Sequence, residues 1–124
     1  MNDHPSFAII GPGVMAEAII IGLIKNEVVA PQNITAAGPN LERLTELEAK
    51  YLIQTTTDNA KAVQNADVVI LCVKPQKLPE VKQDLNGQIP SNALVISIVA
   101  GATMETLIAG LGQIATYIAV MLLG

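Results

Sequence analysis

Four apolar residues, Phe7-Ala8-Ile9-Ile10, run straight into Gly11-Pro12-Gly13, and the chain then takes up helical spacing from about Gly13 to Asn26. A strand that breaks on glycines and restarts as a helix constrains the fold more than any other short feature here. The turn is tight, the backbone can approach a ligand closely, and the helix N-terminus aims unpaired amides and partial positive charge at whatever lies above it. Gly11-Pro12-Gly13-Val14-Met15-Ala16 fits the G-x-G-x-x-G/A pattern, whose third small residue lets helix and strand pack closely. Such a turn suits the diphosphate of a nicotinamide or flavin dinucleotide. The pattern alone is a weak signal, but it gains weight because it follows a strand and opens a helix. The competing reading is a turn that uses glycine for geometry alone.

The rest of the chain repeats this unit. A strand is expected at Ile34 to Ala37, then a helix capped by Asn40 with Arg43, Leu44, Leu47 and Tyr51 in register, and a weak third strand at Leu52 to Thr55. Asp58 would cap a short helix through Asn65, Asp67 to Val73 reads as a central strand, and Lys74-Pro75-Gln76 ends it. A helix from about Pro79 to Leu85, a strand from Ala93 to Val99, a helix capped by Thr103 and a strand from Ile114 to Val120 complete the series. In the first helix Met15, Ile19, Gly22 and Leu23 mark the expected inward stripe. Strands alternating with helices predict an α/β fold: a Rossmann-like, doubly wound, mostly parallel sheet of about six strands with helices on both faces. With 51% hydrophobic residues and only three aromatics among 124, Val, Ile, Leu and Ala must fill one core, so residues 1–124 are read as one dinucleotide-binding domain.

Composition excludes several roles. A net charge of -4 with seven scattered cations argues against nucleic-acid binding. Cys72 is the sole cysteine, which leaves no internal disulfide and points to a cytoplasmic protein, and no Cys/His cluster has metal-ligand spacing. Met1 to Ser6 lacks the features of a signal peptide, and the longest apolar stretches fall short of the ~20 residues needed to span a bilayer. His4, the sole histidine, lies in the N-terminal segment, so no Ser/His/Asp set can be assembled and no catalytic residue is assigned.

The second strand bears on which dinucleotide is held. An acid about 20 residues beyond the glycines would bind ribose hydroxyls and repel a 2′-phosphate, but this strand ends Ala36-Ala37-Gly38-Pro39-Asn40. The missing repulsion favours NADP(H), with NAD(H) as the alternative. Arg43 and Asn40 are the nearest candidates for the phosphate, although Arg43 reads equally well as a helix residue paired with Glu46 or Glu42. Cys72 to Gln76, Asn59 and Ser97 to Gly101 are expected at the same carboxyl edge of the sheet. Asn59 could instead cap a helix, Ala100-Gly101 could be a plain turn, and Cys72 could be a small buried hydrophobe.

Four separate stretches carry a family likeness. They are Ile10 to Ile19, Thr57-Asp58-Asn59-Ala60, Ala66 to Val69 leading to Val73-Lys74-Pro75-Gln76, and Val95 to Gly101. From Phe7 to about Val120 the chain resembles the N-terminal domain of pyrroline-5-carboxylate reductase. The resemblance implies an NADPH-preferring reductase that converts 1-pyrroline-5-carboxylate to L-proline. It also implies dinucleotide contacts at Ile10, Gly11, Pro12, Gly13, Val14, Met15, Gly38, Asn59, Cys72, Val73, Lys74, Pro75 and Ala100. Val14 stands where the family commonly has Asn or Gln, and Gly38 where Ser or Asn often meets the ribose phosphate. The family's helical C-terminal half, which forms a homo-oligomer and most of the substrate pocket, is expected to be missing, leaving this chain alone inactive. Related readings are a 3-hydroxyacid dehydrogenase, a coenzyme-F420-dependent NADP reductase and a non-catalytic dinucleotide-binding or assembly module.

Overall fold

A computed structural model describes residues 5–97 and 116–119. Its elements are β1 (Phe7–Ile10), α1 (Val14–Lys25), β2 (Ile34–Ala37), α2 (Leu41–Tyr51), β3 (Gln54–Thr56), α3 (Asn59–Val63), β4 (Val68–Leu71), α4 (Leu78–Leu85), β5 (Leu94–Ser97) and β6 (Thr116–Ala119). The six strands form one sheet in the order β3-β2-β1-β4-β5-β6, and every pairing is parallel. The chain therefore leaves β1 toward one side of the sheet and returns to β4 on the other. The crevice at that reversal is where open α/β sheets take their ligands.

Burial explains why the strands read as continuous apolar runs. Each residue of β1 and β4 is buried, because alternate side chains enter different layers and both layers are covered. Ala8, Ile10, Val69 and Leu71 pack with Val63 of α3 and with Leu78, Val81 and Leu85 of α4. Phe7, Ile9, Val68 and Ile70 meet Ala16 and Ile20 of α1 and Leu44 and Leu47 of α2 on the opposite face. Helices thus cover both faces of the sheet. Full burial of an Ile or Val side chain contributes about 1.5–3 kcal/mol, so these two central strands form the sheet's most stable part.

The structure moves several expected boundaries. Of the stripe expected in α1, Ile19 and Leu23 do pack, partly buried, against this core, but its fully buried residues are Ala16 and Ile20, which that stripe omitted. Strand β3 starts at Gln54, two residues later than expected, because Leu52 ends α2 in the left-handed region at φ 60 and cannot join a ladder. Helix α3 stops at Val63 rather than Asn65, and β4 is limited to Val68–Leu71. Asp67 is occupied in front of it, its carboxylate accepting from the Ser6 amide at 2.8 Å. The helix expected after Thr103 lies outside the described residues.

Candidate dinucleotide site

Parallel register brings the strand ends to one edge: Ile10 lies beside both Ala37 and Leu71, and Leu71 beside Ser97. Backbone bonds continue past them, with the Gly11 amide donating to the Ala37 carbonyl at 3.0 Å and the Cys72 amide to that of Ile10 at 2.8 Å. The glycine turn is pinned over the middle of this edge.

Its glycines have different tasks. Gly11 adopts φ +95, and a Cβ there would lie 2.8 Å from Val73 Cγ1 and 3.0 Å from the carbonyl carbon of Cys72. Any side chain would be strained and would push the β1 and β4 ends apart. Gly13 is the N-cap of α1 in extended conformation at φ -95, without a side-chain cap bond, and a Cβ there would meet nothing within 4 Å. The helical ladder begins with the Glu17 amide on the Gly13 carbonyl at 3.1 Å, so the amides of Val14, Met15 and Ala16 precede it without intrahelical acceptors. Val14 is 86% exposed. The turn thus presents open backbone donors at the positive end of a helix, the arrangement a diphosphate needs.

Gly38 is buried, directly after β2. A Cβ on it would sit 2.3 Å from Pro12 Cδ and 2.7 Å from Cγ. The proline ring fills the space that a side chain at position 38 would require. A polar side chain there, such as the Ser or Asn of the resemblance, would therefore force the Pro12 ring to shift.

Arg43 does more than either sequence reading supposed. Its Nε donates to the Pro12 carbonyl at 2.8 Å, and Nη2 donates to the Gly13 carbonyl at 3.1 Å and to Glu17 Oε1 at 2.9 Å. Nη1 reaches Glu46 Oε1 at 2.6 Å. The Tyr51 hydroxyl donates to the other Glu17 oxygen, and Lys50 Nζ lies 3.7 Å from it. The bonds from Tyr51 and then Arg43 hold the Glu17 carboxyl below its usual range, while Glu17 and burial raise the Tyr51 phenol. Glu46 is thus a partner of Arg43, as one reading expected. The tie to Glu17 was missed, because it joins residues 26 apart on different helices.

Asn40 caps α2 as expected, accepting from the Arg43 amide at 3.1 Å. Asn59 stands at the start of α3 but is not its cap, since Asp58 accepts from the Lys61 amide. The Asn59 Nδ2 donates to Asp84 at 3.2 Å, and its Oδ1 is buried without a partner. A buried acceptor without a donor costs free energy, and a ligand hydroxyl would relieve it. Cys72 lies just beyond β4 and is half-buried rather than fully enclosed; desolvation pushes its thiol up to about 12, so it is neutral at physiological pH. Val73 is half-buried, whereas Lys74 and Pro75 are exposed and begin a single 3-10 turn. Ala100, Gly101 and His4 lie outside the described residues. Among the described residues no helix is long and apolar enough to cross a membrane, and no group of three His, Cys, Asp or Glu could hold a metal.

This sheet order, with a glycine turn at the reversal and open amides above it, defines a dinucleotide-binding domain of the oxidoreductase type. The profile of the family described as NADP oxidoreductase, coenzyme F420-dependent, matches residues 6–101, and the chain belongs to that family. Within it, the chain is similar to pyrroline-5-carboxylate reductases: it is 45% identical to that of Vibrio alginolyticus over 105 residues and 41% identical to that of Methanosarcina acetivorans over 104. These alignments cover 85% and 84% of this chain, and the chain spans 38% of each relative. A solved pyrroline-5-carboxylate reductase from Coxiella burnetii superposes with a TM-score of 0.83 at 34% identity, covering 90% of this chain and 41% of that one.

Proposed function

We propose that this chain is the cofactor-binding part of an NADPH-dependent reductase that converts 1-pyrroline-5-carboxylate to L-proline, with NADH as the alternative donor. The observation that carries the reading is the Gly13 cradle, where open space lies directly over amides at a helix start. The orphaned Asn59 Oδ1 on the same side supports it, as a ribose hydroxyl would supply the donor it lacks. Gly11 to Met15 would hold the diphosphate, and Gly38 would let the adenosine end lie close to β2. Cys72 to Pro75 and Ala100 would line the path of the nicotinamide half. When bound, the reduced nicotinamide supplies the hydride equivalent for the imine carbon. The residues at this edge bind and orient it, and the closely packed strand ends exclude water beneath.

The substrate assignment follows the relatives' names, and the whole protein's activity, cytoplasmic location and homo-oligomeric state are proposed on the same likeness. Residues 1–124 are the dinucleotide domain in this reading, with the substrate pocket and subunit contacts largely outside it. The family description favours a second reading, in which coenzyme F420 replaces the imine as hydride acceptor.

Titration with NADPH and NADH, followed by nicotinamide fluorescence, tests the site. Gly13→Ala should leave the melting temperature within a few degrees, because its Cβ meets nothing, yet abolish binding by intruding on the diphosphate. Undiminished binding by a folded Gly13→Ala protein would remove the cradle from the argument. Adding 1-pyrroline-5-carboxylate or coenzyme F420 and following cofactor oxidation separates the two substrates.

A further inference from the structure

We infer that Arg43 is a positioning residue for the diphosphate, acting through the carbonyls of Pro12 and Gly13, and that it is not the ligand of a 2′-phosphate. The inference rests on the dinucleotide reading above.

A guanidinium has five N–H donors. Four of Arg43's go to Pro12 O, Gly13 O, Glu17 Oε1 and Glu46 Oε1, at distances from 2.6 to 3.1 Å. The side chain is 20% exposed, so this fork is built into the contact between α2 and the turn rather than extended into solvent. An arginine already holding four acceptors has little left to offer a phosphate.

What it does instead follows from the geometry of a tight turn. Each peptide of Gly11-Pro12-Gly13 has an oxygen end and, except at proline, an amide end. Oxygens facing an anion would repel it. With the Pro12 and Gly13 oxygens drawn toward Arg43, the opposite side of the turn is left to the donors at the start of α1. Arg43 also holds the carboxylate of Glu17, the acid in the first turn of that helix, with Tyr51 and Lys50 on its other oxygen. An untied Glu17 would place negative charge one turn from the proposed diphosphate and oppose the helix dipole's attraction for it. One cation therefore orients the carbonyls and restrains the nearest competing anion.

Both nicotinamide dinucleotides contain the diphosphate, and only one contains a 2′-phosphate. Arg43→Lys keeps the charge but loses the fork, and should weaken NADPH and NADH by the same factor, about tenfold, as expected for the loss of charge-assisted bonds at a pre-organised site. Glu17→Gln keeps an acceptor oxygen for Arg43 and removes the competing charge, so it should leave both affinities unchanged or raise them slightly, by the same factor. Both variants are titrated where circular dichroism shows them folded. Loss of NADPH affinity with NADH unchanged would make Arg43 a 2′-phosphate ligand and overturn the inference. Unchanged affinity for both in folded Arg43→Lys would reduce the network to scaffolding, and a loss in Glu17→Gln as large as in Arg43→Lys would contradict the role given to its charge; either overturns it too. If the unsubstituted protein binds neither dinucleotide, the reading beneath it falls first, and the two failures are told apart by that control.

Discussion

The contact between Pro12 and Gly38 makes a prediction that depends on no ligand. Gly38→Ala puts a methyl group 2.3 Å from Pro12 Cδ and 2.7 Å from Cγ, both well inside ordinary contact. The ring cannot easily retreat, because Pro12 carries the carbonyl bonded to Arg43 Nε at 2.8 Å and Gly11 before it is wedged against Val73. Overpacking of this kind costs about 1–3 kcal/mol, and here the upper half of that range is expected. For a chain of 124 residues, between the smaller and larger domain classes, each kcal/mol shifts the melting temperature by about 4 °C. Pro12→Ala removes Cγ and Cδ, after which the nearest atom left on residue 12 is the backbone nitrogen at 3.8 Å, an ordinary contact. Pro12→Ala by itself should cost about 0.4–1 kcal/mol through greater freedom of the unfolded chain. Urea titration of the four proteins of this cycle should give a favourable coupling of about 1–2 kcal/mol. Equal cost of Gly38→Ala with and without the proline would refute the steric argument and return position 38 to ligand contact alone.

Other expectations concern single sites. Leu52 is 74% exposed and held at φ 60, where a left-handed conformation costs an L-residue about 1–2 kcal/mol, so Leu52→Gly should raise the urea midpoint rather than lower it. A lower midpoint would mean that the side chain's remaining contacts outweigh the relieved strain. The cluster of Glu17, Arg43, Glu46, Lys50 and Tyr51 should add pH dependence at both ends of the scale. Glu17 is held below its ordinary 4.5, so its stabilisation is complete above that pH and lost as pH falls through the lowered value. Tyr51 is raised above 10.0, so its share is complete below that pH and lost as pH rises through the raised value. Tyr51→Phe should therefore cost stability on the plateau between, with the cost shrinking as acid protonates Glu17 and as base ionises Tyr51; a pH-independent cost would rule out the ionic account. With its thiol pushed up to about 12, Cys72 should react with iodoacetamide at pH 8 far more slowly in the native protein than in urea, and equal rates would show an accessible thiolate.

The sequence made the architecture legible because each βα unit announces itself locally. Apolar runs between turn residues located β1, β2, β4 and β5 closely, and Asn40 and Asp58 marked helix starts through the caps they form. Boundaries failed where tertiary contact or one backbone angle decided them, as at Leu52 before β3, and the inward face of α1 was legible at Ile19 and Leu23 but not at Ala16 and Ile20. The candidate site was partly legible. Gly11 and Gly13 stand out in any sequence, but their division of labour depends on how near Val73 comes, which no spacing reveals. Gly38 looked like a missing ligand group and is a packing necessity set by Pro12. Arg43 offered two local readings, and the structure joined one of them, the pair with Glu46, to a partner on another helix. Such a link depends on how α1 and α2 lie together across the sheet, information that one-dimensional periodicity does not contain.

Strand β3 closes one side of the sheet with only three residues, Gln54-Thr55-Thr56, and the Thr55 hydroxyl is bonded to Glu48 of α2. A sheet margin this brief and hydrophilic offers a neighbouring molecule few backbone groups to pair with. The consequence is colloidal: so short a border should give edge-on stacking into fibrils little purchase, and replacing Gln54 and Thr56 with valine should promote such growth.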